Sequence, residues 1–310
     1  MYTDLVRSLR RAYAAAEDAG IEDQALSKSI NDILIADYLG HFVSPGGAGS
    51  DAYSGDLHFE YKCSTTNIQA NFHLGKNRWN DEENILHLRT KFQNIEGAYF
   101  TQLEWGEIRA IYYCPMQYLL PVIEEKVLNV NSGQLNPQLS WEEFTQIEQS
   151  TPVIQNPNRS YPAVADHLRD AMQLARDAGM EQGLFGKGGH NHLFLAQSEG
   201  HQLSDYGGGP DAHDINGNYE YKISMHDWKC NFNFGARKST LENQTLIRRK
   251  CDNLVAAYIA TRRYGELTRI VRIPAADLQR LLLEKEAATI GNPMNLQLTP
   301  RQLAPYQIFP

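Results

Sequence analysis

Asp51, Glu60 and Lys62 set two carboxylates and an ammonium close together in the chain. Glu60 and Lys62 flank Tyr61 in the run Leu57-His58-Phe59-Glu60-Tyr61-Lys62, where apolar and polar residues alternate. A strand has a side-chain period of two, so Glu60 and Lys62 project to one face. Asp51 precedes a turn, Tyr53-Ser54-Gly55-Asp56, that leads back into this strand, so the two carboxylates converge at the start of a hairpin. Hard oxygen donors of this kind suit Mg²⁺ or Mn²⁺. Mg²⁺ takes only one or two protein carboxylates and completes its shell with water and substrate phosphate. A lysine on the same face can orient an attacking water and offset charge in the transition state. The chemistry implied is metal-assisted cleavage of a phosphodiester.

The same arrangement occurs a second time. Residues 49–75 read GSDAYSGDLHFEYKCSTTNIQANFHLG and residues 209–235 read GPDAHDINGNYEYKISMHDWKCNFNFG. Asp211, Glu220 and Lys222 stand 160 positions after Asp51, Glu60 and Lys62, while neighbours such as Cys63/Ile223 and Leu57/Gly217 have drifted. The match extends over nearly the whole chain at a shift of 159 or 160, from AEDAG/ARDAG near the start to NPQLS/NLQLT near the end. This period is far longer than that of a solenoid and is the size of a small domain. The expected organisation is therefore residues 1–150, a polar, Pro-containing linker over 151–162, and residues 163–310.

Composition sets outer bounds. A chain of 310 residues with 42% hydrophobic content can bury two ordinary cores. It has no apolar run long enough to span a membrane and no apolar signal core near Met1, so a cytoplasmic, membrane-free protein is expected. The net charge of −8 argues against a protein that coats nucleic acid generally, though not against an enzyme with basic residues gathered in one cleft. Each of the 4 cysteines aligns with an apolar residue in the other copy, which reads as core packing in a reducing compartment and suggests neither zinc nor disulfides.

The elements that position the acids recur in one order. A helix over about 3–19 has Leu5, Leu9 and Tyr13 on one face and stops at Gly20. A second helix over about 25–39 leads to a Gly-rich loop. The hairpin strand follows, then a strand near 68–74, a helix near 82–93, strands near 98–103 and 107–113, and a helix near 116–127. Helices around a central mixed sheet, twice over, make an α/β (α+β) protein.

Asp51…Glu60-Tyr61-Lys62 and Pro210-Asp211…Glu220-Tyr221-Lys222 resemble the signature of the PD-(D/E)XK nucleases, with Ser50 where copy two has the literal proline. The resemblance covers both halves. It implies two tandem restriction-endonuclease-like units in which both acids bind Mg²⁺, with Mn²⁺ able to substitute, and the lysine assists the nucleophile. Many type II restriction endonucleases of this superfamily act as dimers with one site per DNA strand. The chain is similar to such a dimer fused into one polypeptide, a pseudo-two-fold monomer that cuts both strands of a double-stranded DNA site. A cognate DNA methyltransferase is implied as functional partner. A structure-specific or repair nuclease of the same fold, or a catalytically silent DNA-binding protein, is the alternative. Some members add an acid from the preceding helix, for which Asp37 is the candidate; copy two has Gln197 there and Glu199 nearby.

Other residues invite a role in DNA contact. Asn71 and Asn231 recur just after the motif strand, to contact DNA or to cap a turn, whereas Phe72 and Phe232 beside them read as core. Lys76, Arg78, Arg237 and Lys238 follow the glycines, and Arg89, Lys91, Arg248, Arg249 and Lys250 lie on the next helix, where phosphate contacts are expected of a DNA enzyme. His190-Asn191-His192 superficially resembles an HNH or zinc site, but copy one has Ile30-Asn31-Asp32, so a metal role is not expected. His41 and His201 match and read as structural residues at a helix end.

Overall fold

The computed structural model describes residues 2–28, 30–45, 49–64, 69–72, 74, 80–129, 136–185, 189–205, 209–224, 230–289 and 294–309. In chain order, copy one contains α1 (Thr3–Asp18), α2 (Asp23–Lys28), α3 (Ile30–Leu39), β1 (Phe42–Val43), β2 (Ala52–Ser54), β3 (Leu57–Ser64), β4 (Gln69–Asn71), α4 (Asp81–Phe92), β5 (Gly97–Glu104), β6 (Glu107–Pro115), α5 (Met116–Leu128), β7 (Gln138–Ser140), α6 (Trp141–Thr145) and β8 (Thr151–Pro152). Copy two contains α7 (Pro162–Asp177), α8 (Asn191–Glu199), β9 (Gln202–Leu203), β10 (Ala212–Asp214), β11 (Gly217–Ser224), β12 (Cys230–Asn233), α9 (Thr240–Asp252), β13 (Ala256–Arg263), β14 (Glu266–Pro274), α10 (Ala275–Ala288), β15 (Asn295–Leu298), α11 (Pro300–Leu303) and β16 (Gln307–Phe309).

These elements build two six-stranded mixed sheets flanked by helices, in the orders β1-β2-β3-β5-β6-β8 and β16-β14-β13-β11-β10-β9. In each sheet the motif strand is internal. It pairs antiparallel with its hairpin partner and parallel with the next long strand, Glu60 opposite Ala98 and Glu220 opposite Ala257. The tight turns between β5 and β6 and between β13 and β14 place Trp105 and Tyr264 at φ 50 and 44, each followed by a positive-φ glycine, Gly106 and Gly265. That pair of left-handed residues suits the twist of a two-residue hairpin. The strand expected near 68–74 is the shorter β4. It leaves the main sheet and pairs with β7, as β12 does with β15.

One core gathers Phe72, Leu88, Phe92, Phe100, Leu119, Ile123 and Phe144, and the other Phe232, Ile247, Ile259, Val271, Leu282 and Leu296. Cys114, Cys230 and Cys251 are buried, and all four cysteines are free. No helix among the described residues is long and apolar enough to cross a membrane.

The packing units differ from the repeat boundaries at 1–150 and 163–310. One compact unit comprises residues 15–188, and the other residues 1–14 with 189–310. The first helix of each copy thus packs on the core of the other copy. Tyr13 of α1 lies edge-on to Phe194 with centroids 5.6 Å apart, and its hydroxyl hydrogen-bonds His190 Nε2 at 2.8 Å. The segment 151–162 is built in rather than loose. β8 pairs with β6, Asn156 donates to the Leu39 carbonyl at 3.0 Å, and Arg159 reaches Asp37.

Candidate functional site

The hairpin fixes the acids through its own backbone. Asp51 N donates to the Phe59 carbonyl at 2.9 Å, and Asp51 Oδ2 accepts the Tyr61 N–H at 2.7 Å. Asp211 repeats both bonds, to the Tyr219 carbonyl at 3.0 Å and from Tyr221 N at 2.7 Å. One oxygen of each aspartate is thus spent holding the carboxylate over the motif strand, beside the glutamate next in line. Glu60 and Glu220 are buried. Lys62 Nζ hydrogen-bonds Glu60 Oε1, and Lys222 Nζ lies 2.6 Å from Glu220 Oε1. Behind the lysines, Phe72 and Phe232 offer ring faces 5.3 and 5.6 Å from the ammonium nitrogens. These phenylalanines are core residues, as expected, and also the floor of the site.

The intervening tyrosines point to the other face of the sheet. The Tyr61 hydroxyl and His41 Nδ1 share a hydrogen bond of 2.9 Å, and Tyr221 and His201 one of 2.6 Å. The imidazoles stack on Phe59 (centroids 4.6 Å apart) and on Tyr219 (3.9 Å). Burial pushes His41 down to about 4 and also lowers His201, so both are neutral near pH 7. This matched layer locks the strand from behind and gives both histidines the structural role expected of them.

The electrostatics match the geometry. Burial and the nearby Glu60 push Asp51 up to about 6, against the pull of Lys62, the Tyr61 N–H and Lys91. Burial would pull Lys62 and Lys222 down, but the adjoining carboxylates outweigh it and raise both. Burial would push Glu220 up, but Lys222 and Lys250 outweigh it and hold the carboxyl below its ordinary value.

Two further positions converge on the motif residues. Lys250 on α9 puts Nζ 2.9 Å from Glu220 Oε1. Its counterpart on α4, Lys91, acts electrostatically on Asp51 and is itself held below its ordinary value, chiefly by burial. Each site therefore has a second lysine from the helix after the hairpin. The signal was present in the repeat, since both copies keep this lysine at a shift of 159, but it lay inside a basic run. The other position is Asp32 on α3 and His192 on α8. Asp32 acts on Lys62, and His192 Nδ1 lies 3.8 Å from Asp211 Oδ1. His192, for which no metal role is expected, thus lies beside the motif aspartate: burial in this corner pulls its basicity down, and its ring meets Tyr221 edge-on at 5.7 Å.

Asp37 goes elsewhere. It is fully buried and accepts from Arg159 Nε at 2.8 Å and from Tyr161 N at 2.9 Å. Gln197 accepts the Tyr2 N–H at 2.9 Å. Tyr2 and Tyr161 also match in the repeat, and their hydroxyls accept from Leu203 N at 2.9 Å and Val43 N at 3.2 Å. Position 37/197 is thus an anchor for the exchanged first helix, where a carboxylate or an amide serves equally. This corrects the reading of Asp37 as a metal ligand.

Of the residues read as DNA contacts, Asn71 and Asn231 are exposed on β4 and β12, and Lys238 and Arg248 are exposed as well. Arg237 turns inward instead, 3.3 Å from the buried carboxylate of Glu286, which makes it a structural partner. Lys76 and Arg78 lie outside the described residues. A cavity of about 390 Å³ adjoins the second site, lined by Glu220, Lys250, Arg249, Pro210, Phe234 and Asn253 among others.

The donor set fits a hard divalent ion. Each site holds two convergent carboxylates, one drawn off by an ammonium. Among the described residues no three His, Cys, Asp or Glu side chains gather closely enough to hold an ion alone. Mg²⁺ needs no such cage, because water and substrate phosphate complete its shell. No protein-family model matches the chain, and no curated protein matches it.

Proposed function

We propose that the protein is a Mg²⁺-dependent endonuclease of the PD-(D/E)XK kind that cuts double-stranded DNA at a defined sequence, as a type II restriction enzyme. The observation that carries this reading is one constellation of two carboxylates and two lysines built twice. Asp51, Glu60, Lys62 and Lys91 correspond to Asp211, Glu220, Lys222 and Lys250, with the motif strands β3 and β11 in the same register against their neighbours and the second lysine on the helix that follows. Two working copies suit the two strands of a palindromic or nearly palindromic site, cut by one chain acting as its own dimer.

Within each site the residues take distinct roles. Asp51 and Glu60, with Asp211 and Glu220, would hold Mg²⁺, with Mn²⁺ able to replace it. When bound, the ion supplies activation of water and charge stabilisation. Lys62 and Lys222 sit at the carboxylate edge, where an ammonium can orient the attacking water. Lys91 and Lys250 add a second positive charge against the phosphate, where charge builds up in the transition state. Exposed Asn71, Asn231, Lys238 and Arg248 supply groove and backbone contacts.

The test is digestion of unmodified phage DNA by the purified protein, with and without Mg²⁺. Discrete fragments that require Mg²⁺ support the reading. Intact duplex together with cleavage of branched or flapped DNA would replace it with a structure-specific nuclease. DNA binding without cleavage of any substrate would replace it with a silent binding protein. Restriction activity further implies a methyltransferase that protects the same sequence in the host.

A further inference from the structure

Among the described residues that act on the motif carboxylates and lysines, one helix position differs in chemistry between the two copies. Asp32 and His192 occupy equivalent places on α3 and α8, one helix before the hairpin in each copy. His192 faces the motif residues of its copy. The Asp32 carboxylate lies within electrostatic reach of Lys62, Tyr61 and Cys63. The His192 ring stands edge-on to Tyr221, and its Nδ1 is 3.8 Å from the Asp211 oxygen that the hairpin does not use. Resting on the nuclease reading above, we infer that the two metal sites are chemically unequal. The Asp32 site is an all-oxygen site that favours Mg²⁺, and the His192 site offers an imidazole nitrogen and takes nitrogen-seeking ions more readily.

The argument is one of donor charge and type. Asp32 adds a carboxylate within electrostatic reach of Lys62 in the first site, and affinity for hard cations rises with the number of charged oxygen ligands. His192 removes that negative charge from the second site and substitutes an imidazole, which suits Ni²⁺, Co²⁺ and Zn²⁺ better than Mg²⁺. Both changes move the ratio of Ni²⁺ to Mg²⁺ affinity in the same direction. At low Mg²⁺ the Asp32 site fills first, so the two DNA strands would be cut in a fixed order.

The experiment is calorimetric titration of the DNA-free full-length chain with Ni²⁺ and, separately, with Mg²⁺. Two single-site proteins isolate the sites: Asp211→Asn with Glu220→Gln leaves the Asp32 site, and Asp51→Asn with Glu60→Gln leaves the His192 site. The Ni²⁺/Mg²⁺ affinity ratio is expected to be about tenfold or more higher at the His192 site. His192→Asp should bring that ratio down to the value of the other site, and Asp32→His should raise the other site to match. If a single-site protein does not fold, the intact chain serves. It should show two classes of Ni²⁺ site that His192→Asp merges into one. Equal ratios that ignore both substitutions would overturn the inference and leave the nuclease reading standing. No saturable binding of either ion to the folded wild-type chain would overturn both.

Discussion

Asp37 Oδ1 accepts the backbone N–H of Tyr161 at 2.9 Å, across 124 residues of sequence. The bond ties the start of α7 to the core of the other copy, and Arg159 closes on the second oxygen of the same carboxylate. A side chain already committed to an N–H and a guanidinium is a poor candidate for an ion. Asp37→Asn keeps one acceptor and should leave divalent-ion binding unchanged. Asp37→Ala leaves the N–H and part of the Arg159 charge uncompensated and should cost about 2–4 kcal/mol, a buried pair's penalty discounted for the partial exposure of Arg159. Urea unfolding and ion titration of both variants check this. Loss of ion binding by a folded Asp37→Asn protein would return Asp37 to the site.

Lys250 carries a prediction for catalysis. Its ammonium shares Glu220 Oε1 with Lys222, so the fold already provides two cations at one acidic edge. Removing one preorganised electrostatic contact typically lowers turnover by about 10²–10³-fold. Lys250→Ala should slow cleavage at the second site by that order, and Lys91→Ala should do so at the first. Each variant should accumulate nicked circles from a supercoiled plasmid, with far-ultraviolet circular dichroism unchanged. Equal slowing of both strands by either single substitution would contradict a separate role at each site.

The hairpin acids were legible in the sequence because strand alternation and the repeat both depend on short-range spacing. Glu60 and Lys62 needed only a period of two. The helices and long strands were legible for the same reason. Asp37 was misread because its partners, Arg159 and Tyr161, come from the segment before α7, and no local pattern announces an exchanged helix. Arg237 was misread similarly, since Glu286 lies 49 residues away. His192 was set aside because its counterpart is Asp32. Its place 3.8 Å from the Asp211 carboxylate depends on how α8 packs against the hairpin, which no local pattern announces.

His41 gives a pH dependence with a defined sign. Its folded-state pKa falls from 6.5 to about 4 through burial, so the unfolded chain holds more protons between those values. Stability from this group is fully present above about pH 6.5 and is lost as pH falls toward 4, by at most about 3 kcal/mol. Asp51 works in the opposite sense, because its carboxyl is pushed up to about 6 and the folded state gains as that proton binds. Comparing wild type with His41→Gln at each pH cancels the Asp51 contribution. The wild type should lose stability relative to the variant as pH drops from 6.5 to 4 in urea unfolding. Parallel pH profiles would show that His41 is not held neutral.

Cleavage of a supercoiled plasmid carrying one recognition site, in Mg²⁺, tests the central claim of two matched active sites most directly. The wild type should yield linear DNA. Asp51→Asn alone and Asp211→Asn alone should each stop at open circles, and the double variant should leave the plasmid supercoiled. Linear product from either single variant at the wild-type rate, or from the double variant, would contradict an account in which each half cuts one strand.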